Sequence, residues 1–393
     1  MERPALSLAE LLNRAQPGDF GERSAVWIVP LPGDTFIRLS ARAVDALRLH
    51  AQGRSLDQAA AATANGAEAW NGARVQRIRD QLIARAQSTS RAADSIGFFW
   101  RRQLLSAAMV RRIVTPLTSL FHPAVAVLVA AATLAILALT FAPAETSSVS
   151  DVACGYAWML ASLAAHELGH AAAVAAFDAE PGPIGFTVYV IYPAFYSDVS
   201  AAWRLRRKQR FVVDVGGVYF QLAFIATLLL ARRLWPLPGV HLALLLTLFS
   251  VAMTMHPFLK FDGYWMLADA LGVANLAKWR TLALRNLSAS LRGRPREPLP
   301  WRPVTSAIVT VYALSSSVFA AAFIVYLLPR VWYAVLRYPA AVRVFLSAFD
   351  KPSVLASPGP WLALAGSTIM ILFAARLVIA MTSRIRAAFS RER

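Results

Sequence analysis

Long apolar runs alternate with polar segments over the last two thirds of the chain. A bilayer core of about 30 Å requires roughly 20 apolar helical residues. Six stretches approach or reach that length, at approximately 122–142, 151–177, 212–231, 236–257, 304–328 and 359–383. Asp214 and Gly216-Gly217 weaken the third stretch, and Pro236 and Pro238 weaken the start of the fourth. The pattern predicts a mainly α-helical, polytopic membrane bundle of about six spans.

Residues 1–88 contain no such run and mix charges with short apolar groups. Two short β-type segments, Val26–Val29 and Phe36–Leu39, flank the turn signal Pro32-Gly33-Asp34, which predicts a strand pair. Three helices are predicted after it, around Val44 and Leu47, from a capping box at Ser55 and Gln58 to Thr63, and over 67–87. These elements predict a small α+β, winged-helix-like cytosolic domain.

The segment 89–121 is predicted to link this domain to the membrane bundle of residues 122–393. From Ser95 to Phe121, aromatic and aliphatic residues alternate with arginines. This mixture is typical of an amphipathic helix that anchors a protein to the inner membrane surface. An ordinary cytosolic connecting helix fits the same pattern equally well.

The net charge of +18 follows the predicted spans, because Lys and Arg cluster in alternate connections. They concentrate in 204–210, in 260–302 and in the C-terminal tail, whereas 143–150 has none and the long predicted loop 329–358 has few. The positive-inside bias predicts both termini in the cytosol, in a multi-pass protein of a bacterial-type inner membrane. The charge is thus explained by topology, and no nucleic-acid partner is expected. No cleavable signal sequence opens the chain, so we expect the N-terminus to remain cytosolic.

The apolar run from Val152 to Phe177 contains the sequence His166-Glu167-Leu168-Gly169-His170. Residues four apart share a helix face, so both imidazoles can bind one metal ion at about 2.0 Å. Glu167 stands beside them and can take a proton from water whose pKa zinc has lowered. Because Cys154 is the single cysteine, any metal has to use histidine and carboxylate ligands. The implied chemistry is peptide hydrolysis within a bilayer.

A catalytic zinc usually has three protein ligands and one water, so a third ligand is required. Asp262 is the best candidate, since an acidic group in apolar surroundings is expensive unless it is paired or binds a cation. Pro257 and Gly263 are expected to interrupt regular helix nearby and to turn this carboxylate into the bundle. Asp198 and Asp214 are competing candidates. Asp198 fits better as a loop organiser, and Asp214 could pair with an outer group near the metal.

These residues resemble the site-2 protease family of intramembrane zinc metallopeptidases, in particular a bacterial branch of peptide zinc metalloproteases. The resemblance rests on 166–170, on Phe261-Asp262-Gly263-Tyr264-Trp265 followed by Asp269, Leu271, Gly272, Asn275 and Leu276, and on Pro193, Phe195-Tyr196, Asp198-Val199-Ser200 and Trp203 between them. It implies that His166, His170 and Asp262 bind Zn2+ and that Glu167 is the general base.

One position departs from that family's pattern. The family usually has Asn-Pro ahead of its Asp-Gly pair, and this chain has His256-Pro257. The family's asparagine is thought to hold the substrate or to polarise the reacting carbonyl. His256 could donate a similar hydrogen bond, or it could become a fourth metal ligand that closes the site. His241, His122 and His50 lack partners at metal-binding spacing and are interpreted as structural.

Two further segments are interpreted as peptide-binding elements. Ile184–Tyr196 is rich in aromatic and β-branched residues, which predicts strand structure after the zinc helix. Its edge could pair with an extended substrate, or the segment could be a packed cap over the site. The pattern of residues 26–40 and 53–56 resembles the leader-peptide-binding domain known from pyrroloquinoline quinone biosynthesis. That resemblance implies binding of a leader peptide, whereas the alternative is a regulatory or stabilising domain.

The sequence therefore predicts a zinc metalloendopeptidase that cuts a precursor or membrane-associated peptide during its maturation or export, together with export or peptide-modifying partner proteins. Two alternatives remain open. The first is regulated proteolysis of a membrane-tethered regulator, and the second is a peptide transporter or export partner without catalytic activity.

Overall fold

The computed structural model describes residues 7–22, 25–31, 35–64, 70–87, 98–140, 149–189, 192–348 and 358–389. Its α-helices are α1 (Leu8–Asn13), α2 (Ala41–Ala51), α3 (Leu56–Thr63), α4 (Gly72–Gln87), α5 (Ala107–Val114), α6 (Pro123–Thr140), α7 (Val149–Ala176), α8 (Arg207–Ala231), α9 (Val240–Thr254), α10 (Asp262–Leu271), α11 (Leu276–Leu291), α12 (Pro303–Ala348) and α13 (Pro358–Phe389). Its strands are β1 (Gln16–Gly18), β2 (Val26–Leu31), β3 (Thr35–Ser40), β4 (Phe98–Leu105), β5 (Ile184–Tyr189) and β6 (Tyr192–Ser197). Short 3-10 helices cover Thr115–Phe121 and Ser200–Arg204.

The N-terminal region is an antiparallel sheet packed against helices. Strands β1, β2 and β3 pair in that order, with Val29 opposite Ile37. The predicted strand pair is thus confirmed, although its turn, 32–34, lies outside the described residues. Alternate residues of β2 point into the core, where Val29 meets Val44 and Leu47 of α2. Burial of this apolar face is the main force that holds the sheet and helices together.

The helix starts in this region follow local capping. The Ser55 side chain accepts from the Gln58 amide at 3.2 Å, and the Gln58 side chain accepts from the Ser55 amide at 3.0 Å. This reciprocal pair confirms the predicted capping box, and α3 ends at Thr63 as expected. The third predicted helix begins at Gly72, and 65–69 lie outside the described residues.

The prediction of one helix across the linker is wrong in its first half. Residues Phe98–Leu105 form strand β4, which joins β5 and β6 in a sheet of order β4-β5-β6. Consecutive aromatic residues favour extended structure because it gives bulky side chains more room. The helix begins only after Ser106, whose side chain accepts from the Met109 amide. Its buried residues, which include Val110, pack against α7. Residues 88–97 lie outside the described part.

Among the described residues, three helices are long and apolar enough to cross a membrane: α6, α8 and Pro303–Ser347 of α12. These helices indicate a membrane protein. Helices also form at the other three predicted spans, but α9 and the apolar part of α13, Leu364–Arg376, are shorter. In α7 the polar side chains of 166–170 lower the hydropathy. Those three spans stay predictions.

The predicted loop 329–358 is wrong over most of its length, because α12 continues to Ala348. Pro329 and Pro339 lie inside this helix. Proline is tolerated in long membrane-type helices, where other groups satisfy the carbonyls that it frees.

Contacts divide the chain into two units. The first unit contains the N-terminal region, 103–185 and 195–311. In it, α7 and α8 approach closely at Gly169 and Gly216, where an added Cβ on Gly169 would lie 2.2 Å from the Gly216 oxygen. The second unit contains 94–102, 186–194 and the residues from 312 onward. In it, the hydroxyls of Tyr338 and Thr368 join α12 to α13.

Candidate metal centre

The two histidines of the sequence motif face each other on one side of α7. Their Nε2 atoms are 3.1 Å apart, as expected for residues separated by one helical turn. His166 is 7% exposed and His170 is 8% exposed. Both rings are therefore withdrawn from solvent, and their polar atoms have to be satisfied by protein groups or by an ion.

Asp262 reaches this pair from the first residue of α10. After α9 the chain turns through 257–260 and brings the Asp262 Oδ2 atom to 2.8 Å from His166 Nε2 and 3.2 Å from His170 Nε2. The return is tight, since a Cβ on Gly263 would lie 2.0 Å from the Met255 oxygen. The sequence prediction that this carboxylate folds back onto the histidine pair agrees with these distances.

The spacing and chemistry of the three atoms fit a metal ion. Three ligands at about 2.0–2.1 Å in tetrahedral directions around zinc would lie about 3.3 Å from one another. The observed separations are 2.8, 3.1 and 3.2 Å. Among the described residues, His166, His170 and Asp262 form a group able to hold a metal ion. Two imidazoles and a carboxylate are also a ligand set that zinc accepts.

The hydrogen-bond partner of Nδ1 in each ring determines whether Nε2 presents a lone pair to the cluster. His170 Nδ1 lies 2.7 Å from the Val213 carbonyl oxygen, and His166 Nδ1 lies 3.1 Å from Gln221 Oε1. Both oxygens are acceptors, so each Nδ1 carries the hydrogen and each neutral ring turns an Nε2 lone pair towards the centre. Two lone pairs and a carboxylate would repel one another at about 3 Å unless a proton or a metal ion lies between them. The local chemistry thus favours a positive charge at this point.

Gln221 belongs to a buried polar chain that continues away from the histidines. Its amide nitrogen is 3.5 Å from the Ser162 hydroxyl, which lies 3.1 Å from the Thr247 hydroxyl. All three side chains are fully buried. These three hydrogen-bonded side chains join α7, α8 and α9 and hold the Gln221 oxygen in the orientation that His166 requires.

Gly217 of α8 faces the cluster directly. A Cβ at this position would lie 2.4 Å from His170 Nε2 and 2.6 Å from His166 Nε2. Ordinary van der Waals contact begins at about 3.4 Å. Any side chain at 217 would therefore occupy the space in front of both ring nitrogens, and glycine leaves that space open for a ligand.

Glu167 is half-buried on α7 next to the histidines. The backbone amide of Ser197, the last residue of β6, lies near its carboxylate. The charge of Asp262 also acts on Glu167. Glu167 therefore lies near the cluster, and β6 ends beside it.

His256 is not a member of the ligand cluster found among the described residues. Its Nδ1 accepts a hydrogen bond from the Phe258 amide at 3.3 Å. In the neutral ring this leaves the hydrogen on Nε2, which is then a donor. The geometry thus favours the hydrogen-bonding role over the fourth-ligand role among the two that the sequence leaves open.

The two competing aspartates have other partners. Asp198 accepts from the Ser200 amide at 3.0 Å and organises the turn after β6, as predicted. Asp214 lies close enough to Asp269 of α10 for the two carboxyl groups to interact. Neither aspartate belongs to the ligand cluster.

Two acidic groups of α10 respond differently to burial. Burial alone would raise the pKa of the Asp262 carboxyl, but positive charge on the His170 and His166 rings, which the metal-free centre carries when these rings are protonated, holds that pKa below its ordinary value. Burial raises the pKa of the Asp269 carboxyl, and the Arg210 guanidinium counteracts that rise. Asp262 is thus kept as an anion, which is the form that binds a metal ion.

Sequence reasoning did not identify Gln221, Val213 and Arg210 as parts of this region. Gln221 gives a weak signal, since it is an uncharged polar residue within an otherwise apolar span. Val213 contributes only its backbone oxygen and has no sequence signal. The sequence places Arg210 among the basic residues that connect two predicted spans, whereas the structure buries it in the first turn of α8.

Comparison with curated proteins finds similarity to the "Putative peptide zinc metalloprotease protein YydH" of Bacillus subtilis (strain 168). The two sequences are 24% identical over 126 residues, which is 32% of this chain and 50% of the relative. The chain therefore spans about half the length of this relative. No protein-family model matches the chain. No solved structure matches it either.

Proposed function

We propose that this chain is an intramembrane zinc metalloprotease that hydrolyses a peptide bond in a precursor or membrane-associated peptide. The observation that carries the proposal is the convergence of His166, His170 and Asp262 within hydrogen-bonding distance, with Glu167 beside them. The name of the B. subtilis relative supports the same reaction class. We assign His166, His170 and Asp262 as the zinc ligands.

The reaction follows from the side chains around the cluster. Zinc bound there supplies Lewis acidity, which makes water a nucleophile near neutral pH and polarises a carbonyl group. Glu167 takes one proton from the attacking water as the new C–O bond forms. It then transfers that proton to the amide nitrogen as the C–N bond breaks. The Ser197 amide orients the Glu167 carboxylate for both transfers.

His256 is proposed to stabilise the charge that develops on the carbonyl oxygen. Since its Nδ1 accepts from the Phe258 amide, the ring presents an Nε2–H donor. A fixed donor directed at a developing oxyanion stabilises the transition state more than the ground state. The residue would thus perform the task that asparagine is thought to perform in the site-2 protease family.

The membrane placement rests on the helices that build the site. Val213 and Gln221, which orient the two histidines, lie on α8, a helix that is long and apolar enough to cross a membrane. We propose that α7, α9 and α13 complete about six spans, with both termini in the cytosol and cleavage near the inner leaflet.

Two elements are proposed to handle the substrate. Strand β6 ends at Ser197 beside Glu167, so a substrate paired with its edge would have an extended backbone close to the cluster. The N-terminal region, with its three-stranded sheet, is proposed to bind a leader peptide, which favours peptide maturation over cleavage of a membrane-tethered regulator. Export or peptide-modifying proteins are the expected partners.

Metal analysis and a cleavage assay on the purified full-length protein test the proposal. The wild type should hold one zinc ion per chain, and Asp262→Ala should lose it. Glu167→Gln should keep the zinc and lower the cleavage rate by about 10² to 10⁴-fold, because the proton carrier is gone. A cleavage rate that is unchanged in Glu167→Gln would refute the proposed mechanism. Peptide transport that survives this substitution without any cleavage would instead favour the transporter alternative.

A further inference from the structure

A buried arginine joins the N-terminal region to the helix that carries Asp262. Arg210 lies in the first turn of α8 and is 2% exposed. Its guanidinium donates to the Asp269 carboxylate at 2.8 Å, to the Leu205 carbonyl at 2.9 Å and to the Asp19 carbonyl at 3.0 Å. A buried guanidinium is costly unless its donors are satisfied, so these three acceptors have to be held in place together.

The segment Asp19–Gly21 of the N-terminal region makes two more contacts of this kind. The Asp19 carboxylate accepts from the amide of Arg207, the first residue of α8, at 2.9 Å. The Gly21 amide donates to the carbonyl of Gly272, the residue that follows α10, at 2.9 Å. A carboxylate at a helix N-terminus satisfies an otherwise unpaired amide and interacts favourably with the positive end of the helix dipole. One short segment thus holds the start of α8 and the end of α10.

Phe20, at the centre of this segment, contacts two arginines. The Arg38 guanidinium of β3 lies 4.1 Å from its ring centre, and the Arg210 guanidinium lies 4.8 Å from it. Contacts of this type stabilise more when they are shielded from water. The ring therefore covers the buried guanidinium with a residue of the N-terminal region.

The position of α10 depends on such contacts. The helix has 10 residues, and isolated helices shorter than about 12 residues are marginal in water. Asp262 and Asp269 are seven residues apart and lie on the same face, about 10 Å from each other along the axis. A shift of the Asp269 end therefore moves the Asp262 carboxylate relative to the two histidines.

We propose that Asp19–Gly21 and Arg210 position Asp262 for metal binding. The N-terminal region then contributes directly to the metal affinity of the site. This inference rests on the proposed function, since it takes the cluster to be a metal site. Arg210 is a positioning residue that acts through Asp269 and α10. Displacement of Asp19–Gly21 should loosen the metal ion without touching any of its ligands.

Two variants test this role, each with a matched control. A methyl group at Gly21 would lie 2.8 Å from the Leu271 carbonyl oxygen, so Gly21→Ala pushes the segment away from α10. Gly366→Ala is its control, because no neighbouring heavy atom lies within 4 Å of the added Cβ. Arg210→Lys keeps the charge, but one ammonium group cannot replace the planar guanidinium group, whose three nitrogens donate to three different acceptors. Arg79→Lys is its control within the N-terminal region, because the Arg79 guanidinium pairs with Asp80 on α4.

The measurements are zinc affinity by chelator competition, the visible spectrum of the cobalt-substituted protein, and hydrogen exchange of α10 amides in the metal-free full-length protein. Gly21→Ala and Arg210→Lys should each weaken zinc binding about 10-fold, alter the cobalt spectrum and speed exchange in α10. The controls should stay within about twofold of the wild type.

Unchanged zinc affinity and unchanged α10 exchange in both variants would overturn the inference. So would faster exchange in α10 with an unaltered zinc affinity and cobalt spectrum. If the wild type binds no zinc, the proposed function fails. Exchange in α10 of Gly21→Ala then still decides whether the segment holds this helix.

Discussion

Replacement of Gly217 by alanine tests whether the space between α7 and α8 is a metal site. The added Cβ would lie 2.4 Å from His170 Nε2 and 2.6 Å from His166 Nε2, against an ordinary contact distance of about 3.4 Å. Relief of both overlaps needs movements of about 1 Å. Metal–ligand distances tolerate only about 0.2 Å, so at least one ligand should be lost.

We expect the zinc affinity of Gly217→Ala to fall at least about 100-fold, which corresponds to about 2.8 kcal/mol. Loss of a group that hydrogen-bonds to a metal ligand lowers the metal affinity by about 10 to 100-fold. The Gly217→Ala substitution acts on the ligands themselves, so we expect the larger effect. The measurement is competition for zinc with a chromophoric chelator, on full-length protein in detergent. Alanine is favoured over glycine in helices by about 1 kcal/mol, so the helix content of the metal-free protein should persist.

Gly366→Ala is the control, since it makes the same chemical change in α13 with open space around it. Its zinc affinity should equal that of the wild type. If Gly217→Ala binds zinc within threefold of the wild type, a metal ion does not occupy the space in front of the two Nε2 atoms. The assignment of the ligands would then be wrong.

Three other predictions concern the same centre. Gln221→Leu should weaken zinc binding about 10 to 100-fold in chelator competition because His166 loses its acceptor, and wild-type affinity would contradict this. Zinc at 100 times its dissociation constant should stabilise the folded protein by about 2.7 kcal/mol, measured as a higher Tm than that of chelator-treated protein, and equal Tm values would contradict a bound metal. His256→Phe should lower kcat with zinc content unchanged, whereas His256→Asn should keep a hydrogen-bond donor and most of the activity. Equal rates in all three proteins would exclude His256 from the reaction.

The sequence determined those features that depend on local pattern. Apolar runs of span length predicted helices at six positions, and three of these are confirmed as long and apolar enough to cross a membrane. The i, i+4 spacing placed His166 and His170 on one helix face, and the Ser55 capping box began a helix where expected. Such features are readable because helix periodicity and capping involve residues only three or four positions apart.

Predictions from the local sequence pattern were wrong where contacts between distant residues determine the secondary structure. Residues 98–105 carry a mixture of aromatic residues and arginines that also fits an amphipathic helix, but they form a strand beside β5. The continuation of α12 past Pro329 was missed because proline normally ends a helix in water. In both places the deciding partners are distant in sequence.

The tertiary structure alone decided what surrounds the metal ligands. Asp262 could be proposed from its apolar context, but only the fold brings it to 2.8 Å from His166 across about ninety residues. The Val213 carbonyl, the open space at Gly217 and the link from Asp19 through Arg210 to Asp269 have no sequence signal of their own. They arise where backbones from separate elements approach closely, and side-chain type does not encode such an approach.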